Sequence, residues 1–305
     1  METRSGTFEA DHLVLALGAE LAPDDVPGLA ESSHNLYQAE GAAALRGALP
    51  AIHEGRVLIL IARTPFKCPA APYEAAFLAE WLFRKAGTRR RVEIALFTPE
   101  KQPMPVAGPA VGDALREMLT EHGIDYHPGR AVTRVDASTR TAWFDDDQVP
   151  FDLLIAVPPH RAPRVVVEAG LTDSTGYIPV HPQTMEILSD PEALETRFPG
   201  VYAIGDVTAI RLMNAMLLPK AGVFVEAEAR IVADNIAARI RGVEPRSRFD
   251  GRGFCYVEVG DGLAAYGAGD FYAYPGPRVT LEPPSAAYRR AKEEYERLLD
   301  TWFRP

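Results

Sequence analysis

Arg56-Val-Leu-Ile-Leu-Ile-Ala62 decides the fold. Five consecutive aliphatic residues leave no polar face, so the strand they form is covered on both sides, as in a parallel sheet. The chain continues through Arg63-Thr-Pro-Phe-Lys-Cys-Pro-Ala-Ala-Pro72, a stiff turn, into a helix predicted over Tyr73 to Lys85, with Phe77, Leu78, Trp81 and Leu82 on one face. Pro72 suits the first helical position, where its missing N–H costs nothing, and Gly87 suits the C-terminal cap. Arg91-Val-Glu-Ile-Ala-Leu-Phe97 is the next strand, so residues 56–97 read as one βαβ unit.

Outward from that unit, a second helix is predicted over Val111 to His122, then short strands over Ile124 to His127, Ala131 to Val135 and Thr141 to Phe144. Asp152-Leu-Leu-Ile-Ala-Val157 repeats the buried-strand pattern and is broken by Pro158 and Pro159. Further out lie Leu13-Val-Leu-Ala-Leu-Gly18 and Val201-Tyr-Ala-Ile-Gly205-Asp206, two more apolar strands expected to share one sheet around the insertion. A strand buried on both faces cannot stand alone at residue 13, and its neighbours are expected earlier than this chain begins. A long helix from Gly222 to Ile240, a β segment from Phe254 to Val259 and a terminal helix from Ser285 complete the chain. The expected class is α/β: two Rossmann-like dinucleotide-binding domains, the first incomplete, with a short C-terminal cap. The first spans 1–50 with 145–242, the inserted second 51–144, and the cap 243–305.

The bulk numbers narrow the function. The chain is 305 residues long, 47% hydrophobic and 24% charged, which suits about two soluble domains. A net charge of −10 speaks against nucleic acid, which needs clustered cations on one face. The single basic cluster, Arg89 to Arg91, reads as a solvated turn. No apolar run is long enough to span a membrane and no signal segment opens the chain, so a cytosolic location is the default. The two cysteines, Cys68 and Cys255, taken alone read as unrelated buried thiols. Their spacing is far too long for a zinc-type pair, and no metal site is expected.

The turn at 63–72 carries the chemistry. A nicotinamide dinucleotide needs a glycine-rich turn there, so that the pyrophosphate can reach the helix N-terminus. This turn has three prolines and no glycine, so NAD(P)H is not the expected electron donor. It offers a thiol instead, Cys68, with Lys67 and a helix N-terminus beside it, both of which lower a thiol pKa.

The strand ending in Gly18-Ala, the strand ending in Gly205-Asp206 and the string Pro65-Phe-Lys-Cys-Pro…Pro72-Tyr-Glu74 together resemble the sulfide:quinone reductase and flavocytochrome c sulfide dehydrogenase group. Asp152 to Pro163 is similar to that group as well. The resemblance covers nearly all of this sequence and lacks the N-terminal phosphate loop of the group. It implies FAD as cofactor, with Gly18, Gly205, Asp206, Lys220, Ala221 and Gly222 around it. Asp206 would accept hydrogen bonds from the ribityl chain. The helix after Gly222 would point its N-terminus at the flavin pyrimidine carbonyl, and Lys220 would add charge there or simply be solvated.

It further implies that Cys68 faces the flavin and pairs with Cys255 as a redox disulfide. Hydrosulfide would attack that bond, leaving a persulfide on one sulfur and a thiolate on the other, and the electrons would pass through FAD to a quinone or a cytochrome. Glu74 either complements the helix dipole or moves protons, and His160 is either a proton carrier or structural. The terminal stripe of Tyr288, Tyr295, Leu298, Leu299, Trp302 and Phe303 reads as core packing or as contact with the inner face of the cell membrane. A homo-oligomer is compatible with all of this. Two other readings stay open: a flavin reductase like a type II NADH dehydrogenase, and a non-catalytic fragment unable to hold FAD.

Overall fold

The apolar run at 56–62 forms the centre of a parallel sheet. The computed structural model describes the backbone of residues 2–3, 5–145, 147–190, 195–196 and 198–302, and the side chains of 5–145, 147–189 and 198–298. In chain order the principal elements are β1 (Leu13–Leu15), β2 (His34–Asn35), α1 (Ala39–Ala51), β3 (Gly55–Ile61), α2 (Ala71–Lys85), β4 (Val92–Phe97), α3 (Pro109–Glu121), β5 (Asp125–His127), β6 (Leu153–Val157) and β7 (Val201–Ala203). They continue with α4 (Gly222–Ile240), β8 (Arg252–Gly260), β9 (Leu263–Asp270), β10 (Arg278–Ser285) and α5 (Ala286–Trp302). Two units emerge, one of Met1–Glu20, Arg161–Arg252 and Tyr272–Gly276, the other of Leu21–His160, Gly253–Phe271 and Pro277–Pro305.

In the larger unit five parallel strands stand in the order β2-β6-β3-β4-β5. Strand β3 is paired along both edges, Leu153 to Val157 on one side and Val92 to Phe97 on the other. Val57 through Ile61 are each 0% exposed, which is the two-faced burial their composition requires. Val57, Ile59 and Ile61 pack against Tyr73, Phe77 and Leu115, while Leu58 and Leu60 join Phe97, Phe144 and Leu154 on the opposite face. Each such side chain contributes about 1.5–3 kcal/mol on leaving water.

Two expected boundaries move. Strand β6, assigned above to the first domain, is the direct neighbour of β3 in the inserted sheet. An apolar central strand needs partners on both edges, and β6 supplies one. The segment after residue 252 is not a separate cap. Strands β8, β9 and β10 form a three-stranded sheet whose Val257, Val259 and Ala265 close the core on the α2 side.

In the smaller unit β1 and β7 pair in parallel, Leu13 to Val201 and Leu15 to Ala203, so the expected shared sheet around the insertion is present. The expected burial of β1 on both faces is not found. Val14 of β1 is 40% exposed; among the described strands β1 is paired along one edge only.

The terminal helix α5 packs on the β8–β10 sheet. The Tyr288 ring stacks on Tyr266 at 5.2 Å and Tyr295 meets Phe254 edge-on at 5.3 Å. Packing therefore accounts for these two members of the stripe, whereas Leu298 is exposed. The side chains of Leu299, Trp302 and Phe303 lie outside the described residues. Among the described residues no helix is long and apolar enough to cross a membrane.

Just beyond β4, Glu100 is buried; it accepts the Tyr73 hydroxyl at 3.0 Å and the Thr98 hydroxyl at 3.3 Å. Burial pushes its carboxyl up to about 7, against the pull of those two donors. A carboxyl whose folded pKa is raised stabilises most below its unfolded pKa, and that share is lost as pH climbs toward 7. Glu100→Gln, which keeps an acceptor for Tyr73, is expected to remove on the order of 3 kcal/mol of the decline between about pH 4.5 and 7.5. Urea unfolding of wild type and variant across that range measures it; equal slopes would count against the assignment.

Candidate functional site

Cys68 stands in the turn that feeds α2. Phe66 anchors the turn in the core, and Cys68 itself is exposed. Its backbone adopts φ +50°, a left-handed conformation that a non-glycine residue takes only in a tight turn. Its carbonyl accepts the Ala71 N–H at 3.0 Å and the Tyr37 hydroxyl at 3.2 Å, so the loop is fixed at the helix start. Cys255 lies on β8, on the same face as Val257 and Val259 by the two-residue period of a strand. Across from it Gly267 makes room: a Cβ there would lie 3.4 Å from the Cys255 sulfur.

The two thiols feel each other. Burial pushes the Cys255 thiol up to about 12, with the charges of Cys68 and then Glu74 adding to the rise. The bridge implied by the family resemblance is not formed here, and both cysteines are in the reduced, thiol state. Glu74, in the first turn of α2, accepts the Glu258 N–H at 2.9 Å and the Lys292 ammonium at 3.2 Å. Lys292 also reaches Glu258 at 2.5 Å. Burial raises the Glu74 carboxyl above its ordinary value, opposed first by Lys292 and then by the Glu258 N–H. Cys68, Glu74 and Cys255 are thus brought into one region of the larger unit.

His160 is buried beside Tyr37. Its Nδ1 donates to the Pro158 carbonyl at 2.9 Å, and its ring meets Tyr37 edge-on at 5.2 Å. It therefore buttresses the tyrosine that holds the Cys68 loop. Tyr37, Glu258 and Lys292 were not legible as site residues: nothing distinguishes Lys292 from the other cations of α5 until β8 brings Glu258 beside it.

The remaining candidates gather in the smaller unit. Gly18 and Gly205-Asp206 follow β1 and β7, which run in parallel, so both pairs sit at the same edge. Gly205 has φ +76°, and a Cβ there would meet Val225 of α4 at 3.2 Å. Gly222 opens the 19-residue α4 with nothing within 4 Å of its missing Cβ, and Ala221 at the N-cap supplies no side-chain cap. Asp206 is half-buried in the turn between. A carboxylate for hydroxyl groups and a helix N-terminus without a side-chain cap are the donor and acceptor set that a flavin's ribityl chain and pyrimidine ring require, so these residues fit FAD.

Lys220 departs from its expected role. It is 6% exposed, donates to the carbonyls of Asp206 at 2.7 Å and Thr208 at 2.9 Å, and lies 3.5 Å from the Tyr177 ring centre. An ammonium buried this deeply needs carbonyl partners, so Lys220 clamps the turn, and the solvated alternative is not found. Burial lowers it to about 8.

Residues 74–222 match the family described as pyridine nucleotide-disulphide oxidoreductase. The chain is 25% identical over 276 residues to the mitochondrial sulfide:quinone oxidoreductase of Mus musculus, covering 87% of this chain and 58% of that protein. The sulfide:quinone oxidoreductase structure from Aquifex aeolicus superimposes with a TM-score of 0.78 at 22% identity, covering 97% of this chain and 70% of that one. A FAD-dependent pyridine nucleotide-disulphide oxidoreductase from Desulfovibrio vulgaris superimposes with a TM-score of 0.54 at 21% identity, over 88% of this chain and 63% of that one. Over these spans the chain is similar to pyridine nucleotide-disulphide oxidoreductases, and the superpositions show that it shares their fold. The chain is thus similar in sequence to sulfide:quinone oxidoreductases and spans less than two thirds of the length of the mouse relative.

The thiol geometry makes a chemical prediction. An exposed Cys68 and a Cys255 held protonated near neutral pH are expected to alkylate at rates differing by at least about tenfold at pH 7.5. Iodoacetamide labelling of the reduced protein, quantified peptide by peptide, measures both rates; equal labelling would contradict the arrangement.

Proposed function

We propose that the chain takes part in flavin-dependent oxidation of sulfide or a related sulfur species, with Cys68 and Cys255 as its thiol pair and a quinone as electron acceptor. The observation that carries this reading is the proline-rich turn itself. Where a nucleotide-binding fold would set a glycine loop, this one sets an exposed thiol whose charge reaches a second, more buried thiol.

A second observation supports the exclusion of a nicotinamide donor. In a dinucleotide fold the acidic residue after the second strand accepts the ribose hydroxyls. Here Glu100 follows β4, and its carboxylate is turned inward onto Tyr73 and Thr98. The position is occupied by an interior hydrogen bond and presents no acceptor to a ribose.

In the oxidised state the two sulfurs are bonded. Hydrosulfide attacks one of them; the S–S bond breaks, a persulfide forms on the attacked sulfur, and the other leaves as a thiolate with the electron pair. Cys68 is the accessible target, and Cys255 is the leaving thiolate that the site must then carry. Lys292 neutralises Glu74, and that lessens the negative field at Cys255. Tyr37 and His160 keep the Cys68 loop in place. Bound FAD supplies the two-electron acceptor for this chemistry.

The purified chain is expected to be yellow, with absorbance near about 450 nm, and anaerobic sulfide is expected to bleach it while NADH does not. Cys68→Ser and Cys255→Ser should each lower sulfide-dependent bleaching at least about a hundredfold without loss of colour. Bleaching by NADH alone would favour a nicotinamide-dependent reductase, and a colourless protein would remove the flavin from the proposal.

A further inference from the structure

Beneath the Gly205–Asp206 turn lie two buried charged side chains that the sulfur chemistry does not use. Glu228, in the second turn of α4, is 2% exposed, and its Oε2 accepts the Gly205 N–H at 2.7 Å. Lys220 approaches from the other side and donates to the Asp206 and Thr208 carbonyls. The short turn from Gly205 to Val207 is therefore gripped at its first N–H by a carboxylate and at its next carbonyls by an ammonium. Gly205 suits the grip, since its φ of +76° favours glycine and a Cβ there would crowd the Val225 side chain at 3.2 Å.

A carboxylate in this position is an expensive choice. Burial pushes Glu228 up to about 7; the Gly205 N–H opposes the rise, Asp206 adds to it and Lys220 opposes it. An apolar side chain of similar size would fill the space without that penalty. What it could not do is accept the Gly205 N–H, which would then be buried with no partner.

We propose that Glu228 is a positioning residue for flavin binding: through the Gly205 N–H it fixes the turn that aims the Asp206 carboxylate. The inference rests on the reading of this unit as flavin-binding. Asp206, Lys220 and Tyr272 are the charged or titratable groups that act on Glu228. Burial lowers Lys220 to about 8 and holds the Tyr272 hydroxyl far above neutral, so below about pH 7.5 the difference between wild type and Glu228→Gln profiles reports Glu228.

The test compares the full chain as wild type, Glu228→Gln and Glu228→Leu. Two quantities are measured: FAD affinity by flavin fluorescence titration between about pH 5.5 and 7.5, and hydrogen-exchange protection of residues 203–209 without flavin. Glu228→Gln keeps an acceptor, so its affinity at the upper pH should stay within about threefold of wild type. Glu228→Leu leaves the N–H unpaired and should bind FAD at least about tenfold more weakly, with faster exchange over 203–209. Wild type should tighten its grip on FAD as pH rises and Glu228 ionises, because a charged acceptor bonds more strongly; Glu228→Gln should be flat.

If Glu228→Leu does not fold, the difference in pH profile between wild type and Glu228→Gln decides alone. Equal affinity and protection in wild type and Glu228→Leu, or matching pH profiles in wild type and Glu228→Gln, would overturn the positioning role. Wild type failing to bind FAD at all would overturn the flavin reading and this inference with it.

Discussion

Everything in the larger unit depends on the burial of five aliphatic side chains, Val57 to Ile61, between two layers. A strand with no polar face must be flanked on both edges and covered on both sides. That requirement recruits β6 and β4 as neighbours and α2 and α3 as one cover. The chain can leave such a strand only at its C-terminal edge, and the turn it makes there is the one that bears Cys68. The reactive loop is thus positioned by a core that contains no reactive group.

What could be read in advance follows from how local each signal is. The helix from Gly222 to Ile240 and the strands around 56–62 and 92–97 carry their periodicity within a few residues, and they appear where expected. The pairing of Leu13 with Val201 was legible because both runs are apolar and end in glycine. The burial of that first strand was not, since burial is set by neighbours and Leu13 to Leu15 do not encode theirs. The placement of β6 was equally opaque. Leu153 to Val157 and Val201 to Ile204 are similar apolar runs, and only edge pairing sends one to each unit.

At the sites, residues with unusual neighbours were visible and residues with ordinary ones were not. Cys68 declares itself through the prolines around it. Lys220 was noticed, yet its carbonyl partners were not, because a lysine's aim depends on which carbonyls lie beneath it. Glu74 was singled out for its place at the start of α2; the two partners that tune it, Glu258 and Lys292, come from β8 and α5. Among the described residues, buried carboxylates are tied to a main-chain N–H (Glu228), to hydroxyls (Glu100) or to guanidinium and imidazole groups (Glu80). The partner is often far away in sequence, and a linear reading passes over it.

The Lys292 link has a consequence for biogenesis. The unit that carries both thiols is assembled from segments near the two ends of the sequence, with the smaller unit's residues 161–252 emerging between them. During synthesis Cys68 leaves the ribosome long before β8 and α5 can close over Glu74. The nascent chain therefore spends most of its elongation time with a Glu74 carboxylate that lacks both of its later partners. A product released before Lys292 is made would hold Glu74 without its ammonium partner.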